Sequence, residues 1–137
     1  MSVPEPLRHK GRLEVHIKAQ ALAVHTLTVL GNEKIFDPSV DTELICRIKS
    51  CALDIDAKLW SATKIRADTN HVNRELRYRL QEEAILQCSE MLAYIGTAKR
   101  VWHVRSRKIK YWGSLIMEVQ ALAQAWKESD VTRYGQP

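Results

Sequence analysis

The feature that most constrains this chain is an unbroken helical rhythm: Ile109, Trp112, Ile116, Val119, Ala123 and Trp126 follow at steps of three, four, three, four and three. Apolar residues at that spacing fall on one side of an α-helix, which must be buried against other elements. A second run, Ile45, Ile48, Ala52, Ile55, Leu59 and Ala62, is equally regular. It opens near Asp41 and Glu43 and closes near Lys64 and Arg66, charge placements that suit the helix macrodipole. Leu13, Ile17, Ala21, Val24 and Leu27 give a third amphipathic pattern, ended by Gly31, and Leu76, Leu80, Ala84, Cys88, Met91 and Ile95 give a fourth. No alternating strand pattern, glycine-rich phosphate loop or internal repeat competes with them.

Helices are therefore expected over residues 12–30, 41–66, 74–100 and 107–127. Connections of about six to ten residues join antiparallel neighbours, so the expected fold is an all-α, up-down-up-down four-helix bundle. A chain of 137 residues with 45% hydrophobic content supports one core, assigned to 12–128, between a flexible arm at 1–11 and a polar, fraying tail at 129–137. Ser39 or Asp41 is placed to cap the second helix, and Asn70 or Asn73 the third. Gly96 lies inside the third helix, where it costs roughly 1 kcal/mol relative to alanine; either another backbone approaches it or the helix weakens there.

Several function classes lose support at this level. The N-terminus MSVPEPLRHKGR has no apolar core of a signal peptide, and no apolar run approaches the roughly 20 residues that cross a bilayer, so a cytoplasmic protein without a membrane partner is expected. Cys46, Cys51 and Cys88 lack CxxC spacing and sit in apolar patterns, which favours packing over metal binding. Neither HExxH nor Glu-x-x-His occurs, and no nucleophile, base and orienter form a set, so no metal, cofactor or catalysis is expected.

Charge supplies the positive signal. Between Glu90 and Glu118 there is no acidic residue, whereas Lys99, Arg100, Arg105, Arg107, Lys108 and Lys110 contribute six positive charges to a chain whose formal net charge is only +5. His103 and the rings of Trp102, Tyr111 and Trp112 are interleaved with them in KRVWHVRSRKIKYW. Clustered cations with stacking rings suit a nucleic-acid backbone, so Lys99, Arg100, Trp102, His103, Arg105, Arg107, Lys108 and Lys110 are candidate binding residues. Arg74, Arg77 and Arg79 form a second basic group, at the opposite end of an antiparallel bundle, with Glu75, Glu82 and Glu83 close by. Trp60, with Leu44 and Cys51 off the main seam of the second helix, is a candidate surface for another subunit.

The runs LEVHIKAQALAVHTLTVL, RIKSCALDIDAKLWSATKI, RELRYRLQEEAILQCSEMLAYIGTAKRV and SRKIKYWGSLIMEVQALAQAW resemble the accessory variability determinant proteins of diversity-generating retroelements. The layout is also similar to that of four-helix-bundle proteins encoded in intervening sequences of 23S ribosomal RNA genes. The resemblance covers about Leu13 to Glu128; it departs from the family where Gln124 and Ala125 replace glycines before Trp126, and where Phe36-Asp37-Pro38 replaces an aromatic-proline turn. It implies a homopentameric barrel of bundles that binds a reverse transcriptase and structured template RNA or RNA/DNA, supporting mutagenic cDNA synthesis without chemistry of its own. The alternative, of the intervening-sequence type, is an oligomeric structural or interaction module with no dedicated nucleic-acid ligand.

Overall fold

The computed structural model describes the backbone of residues 5–137, and side chains from residue 11 onward. Among the described residues there are four helices and no strand: α1 (Glu5–Leu30), α2 (Thr42–Thr63), α3 (His71–Val101) and α4 (Ser106–Tyr134). Each packs on two neighbours, α1 on α2 and α4, and α3 on α2 and α4. Cross-links such as Lys18 to Glu118 in the middle of the α1–α4 seam and His25 to Tyr111 nearer one end run in antiparallel order. This is the expected four-helix bundle.

Caps fix the helix starts. Asp41 accepts the Leu44 N–H at 3.0 Å and Asn70 accepts the Asn73 N–H at 2.8 Å, satisfying amides that have no partner within the helix. Other boundaries differ from the sequence pattern. Of the expected arm at 1–11, residues 1–4 lie outside the described residues, and the backbone is helical from Glu5. Pro6 occupies the first turn, where its missing N–H would have no helical partner anyway. α2 stops at Thr63, short of residue 66, where the Lys64 N–H tightens onto the Ser61 carbonyl. The expected tail at 129–137 is helical to Tyr134, because the α4 seam takes one more four-residue step, from Trp126 to a buried Asp130.

The seams of α2 and of α4 from Trp112 to Trp126 are buried as their spacing requires, with Ile109 half-buried at the α4 start. Phe36, from the α1–α2 connection, plugs one end between Trp102 and Trp112, with ring centroids 5.5 and 6.1 Å away. Trp112 donates its indole N–H to the Thr26 hydroxyl at 3.0 Å. α1 corrects the sequence reading. Leu13, Ile17, Ala21, Val24 and Leu27 face outward, and Val15, Ala19, Leu22, Ala23, Thr26 and Leu30 fill the core. α1 carries two apolar stripes, and periodicity alone does not say which one is covered. In α3, Leu76 is likewise exposed while Arg77 and Gln81 continue the buried seam, because a polar cluster closes that end of the bundle.

Candidate nucleic-acid interface

The turn between α3 and α4 is built by local chemistry. Trp102 ends α3, His103 adopts φ 53°, and the Val104 N–H donates back to the Lys99 carbonyl at 3.0 Å, the hydrogen bond of a left-handed helix stop. The Trp102 indole N–H donates to the Asp37 carbonyl at 3.0 Å and its ring packs on Phe36, so this turn is clamped to the α1–α2 connection. Trp102 is thus half-buried and committed within the fold, and Trp112 is buried, so neither is a free stacking ring. The ring that remains is Tyr111, exposed on 57% of its surface beside His25. Its signal was present in the sequence: four residues after Arg107, it must share the face of that cation, one step off the seam that takes Trp112 inside.

Around this turn Arg100, His103, Arg105, Arg107, Lys108 and Lys110 are exposed and Lys99 is half-buried. None of the six Lys and Arg side chains forms an ion pair with a described residue. Elsewhere ion pairs join Lys18 with Glu118, Arg47 with Glu43, Lys58 with Glu83, Arg66 with Asp68, Arg77 with Asp130, Arg79 with Glu75 and Lys127 with Glu82, while Lys34, Lys49, Lys64, Arg74 and Arg133 form none with a described residue; what sets the turn apart is the density of its cations and the absence of acids between Glu90 and Glu118. The six also divide by local need. Lys99 and Arg100 lie in the last turn of α3, where positive charge complements the helix dipole. Arg105, Arg107 and Lys108 lie at the start of α4, which has no side-chain cap and no acid in its first turn, so they oppose the dipole. Asp37 borders the positive surface; hydrogen bonds from the Ser39 amide and hydroxyl hold its carboxyl below the ordinary carboxylate range.

The second basic group does not join this surface. Arg77, expected among the binding residues, is buried: its guanidinium donates to both oxygens of Asp130 at 2.8 and 2.9 Å and to the Ile65 carbonyl at 3.0 Å, over the ring of Trp126. Gln81 donates to Asp130, and Tyr78 donates to the Asp130 and Gly135 carbonyls. Arg77 is therefore a closing element of the fold. Arg74 is half-buried and Arg79 is exposed with Glu75. At about 1.5 Å per residue, Arg77 and Lys99 are separated by roughly 33 Å of α3.

The expected subunit surface also divides. Leu44 and Cys51 are packed in the core, because, seven residues apart, they share one flank of the Ile45–Ile48 seam, the flank turned into the bundle, whereas Trp60 is exposed. His16 stacks on Trp60 at 4.6 Å and the Lys64 ammonium lies over its ring at 4.1 Å. Burial pushes the Cys51 and Cys88 thiols up to about 11 and about 12, and leaves Cys46 as the exposed cysteine. No group of three or more His, Cys, Asp or Glu side chains that could hold a metal is gathered among the described residues, and among them no helix is long and apolar enough to cross a membrane. Compared with protein-family models, curated proteins and solved structures, the chain matches none.

Proposed function

We propose that this chain is a non-enzymatic accessory protein that binds structured RNA, or an RNA/DNA hybrid, through the α3–α4 end of its bundle. The supporting observation is the concentration of six cations in a stretch without an acidic residue, none of them ion-paired with a described residue and three of them placed against the dipole of α4. Cations that weaken their own helix are accounted for by a ligand that supplies the missing negative charge, and departures of this kind are expected at functional sites. Phosphates would displace counterions from Lys99, Arg100, Arg105, Arg107, Lys108 and Lys110, while Tyr111 offers a stacking face. The resemblance to retroelement accessory proteins extends this reading to a cytoplasmic homo-oligomer that delivers template RNA to a reverse transcriptase, and that extension rests on the resemblance alone.

A second reading, an oligomeric interaction module without a nucleic-acid ligand, is favoured by a different observation, the exposed apolar stripe of α1. Binding of the purified chain to structured RNA from its own locus, measured against salt, separates the two. If one chain engages about four phosphates of single-stranded RNA, log affinity falls against log salt with a slope of roughly −3. Replacing Lys99, Arg100, Arg105, Arg107 and Lys108 by alanine should remove both affinity and slope while helicity is retained. A salt-independent affinity, or no binding by the wild-type chain, would leave the interaction module as the better reading.

A further inference from the structure

Tyr111 is an exposed ring with an uncovered face. Trp60 is exposed as well, but it is engaged by His16 and by the Lys64 ammonium, and Tyr134 lies beside the guanidiniums of Arg77 and Arg133. Among the described residues Tyr111 meets one ring, His25, with centroids 5.2 Å apart and planes at 74°, and no cation lies over it. An edge-to-face pair uses the face of one ring and the edge of the other, so at least one face of Tyr111 stays open whichever ring supplies the edge. Burial holds the His25 imidazole below its ordinary pKa, so it packs there as an uncharged ring at neutral pH.

The charges around Tyr111 are one-sided. Arg107 and Lys108 precede it by four and three residues, which sets both on its side of α4 with Cβ atoms about 5–6 Å away. A helical side chain leans toward the N-terminus, so the Tyr111 ring covers the turn that carries those two cations. In the other direction the positive surface stops. Glu118, seven residues on along the same side, is the next charged residue of α4, and it pairs with Lys18 of α1. The open ring therefore lies at the rim of the cationic end, between two cations and an uncharged flank.

We infer that Tyr111 stacks on an unpaired base while Arg107 and Lys108 hold the phosphates beside it, so that this end of the bundle selects the unpaired loops and bulges of an RNA over its duplex stems. The inference rests on the nucleic-acid reading above and deepens it. Cations alone bind any phosphate chain and carry no preference for its state of pairing. A ring adds that preference, because in a duplex each base face is covered by its neighbours, and turning one out costs the stacking and pairing it leaves. An unpaired base is free to lie on a side-chain ring. Every base has such a face, so the preference is for unpaired nucleotides and not for a sequence.

The test uses the full chain and labelled RNA probes of about 12 nucleotides, followed by fluorescence anisotropy at fixed salt. The probes are an unstructured single strand, a base-free strand of the same length with abasic riboses throughout, and the fully paired duplex. Tyr111→Ala should weaken binding of the single strand roughly 5- to 150-fold, the range of one base–aromatic stack, with an unchanged helical spectrum. Its affinity for the base-free strand and for the duplex should change by less than about two-fold, and the salt slope should stay as it is, because no phosphate contact is lost. Tyr111→Phe keeps the ring face and should bind the single strand as the wild-type chain does. Equal losses on all three probes, no loss on the single strand, or a Tyr111→Phe chain as weak as Tyr111→Ala would each overturn the inference. Steep salt dependence without any dependence on Tyr111 sinks this inference alone, whereas salt-independent binding, or none, sinks the nucleic-acid reading and this inference with it.

Discussion

His103 holds a backbone conformation that side chains with a Cβ enter at a cost of roughly 1–2 kcal/mol, and it does so to end α3. Glycine there should raise stability by about 0.5–1 kcal/mol in denaturant unfolding, with the turn unchanged. Gly96 presents the opposite case. An added Cβ would meet nothing within 4 Å, and α3 continues through it to Val101, so neither a neighbouring backbone nor a helix break accounts for it. Gly96→Ala should therefore add about 1 kcal/mol, the difference in helix propensity. A loss of stability in either variant would show that the backbone at these positions differs from the one described.

At the level of elements, α4 has an N-terminus at odds with its own dipole. Substituting Arg107 by Glu should stabilise the bundle by roughly 0.3–1 kcal/mol at low ionic strength, an effect that fades with added salt, while RNA affinity falls. If stability is unchanged at low salt, the first-turn cations are not in conflict with the helix. α2 and α4 were legible in the sequence because each carries one apolar seam, from Ile45 to Ala62 and from Trp112 to Trp126. α1 was not, because Val15, Ala19 and Leu22 make a stripe as apolar as Leu13, Ile17 and Val24, and only the neighbours decide between them. The basic turn was legible as charge, but the side chains within it were not. Trp102 reads like a stacking ring until Asp37 and Phe36, distant in sequence, are seen to hold it.

Across the whole molecule, the two ends of the bundle are closed by different chemistry. One end is plugged by rings from three segments, and the other by Arg77 and Asp130, which join α3, α4 and the carbonyl of Ile65. Asp130→Ala leaves a buried guanidinium without its counter-charge and should cost roughly 3–5 kcal/mol. Replacing both partners, Arg77→Met with Asp130→Leu, should recover most of that loss, because desolvating the pair offsets much of its attraction. Equal destabilisation by the single and double variants, measured by thermal unfolding, would contradict this. This polar end was hidden from sequence reasoning because a seam position held by Arg, Gln or Asp interrupts the apolar period that marks a buried face.

The clamp between Trp102 and Asp37 has a further consequence for recognition. A short turn held at both ends by helices and tied at its first residue, Trp102, to another connection has little backbone freedom left to lose when a ligand arrives. A phosphate chain meeting Arg100, Arg105 and Arg107 would thus encounter a preorganised array, and the entropy of ordering the protein backbone would be absent from the free energy of binding. Selectivity would then follow from how well the spacing of phosphates on a given strand matches a fixed pattern of cations, since the flexible partner would be the nucleic acid.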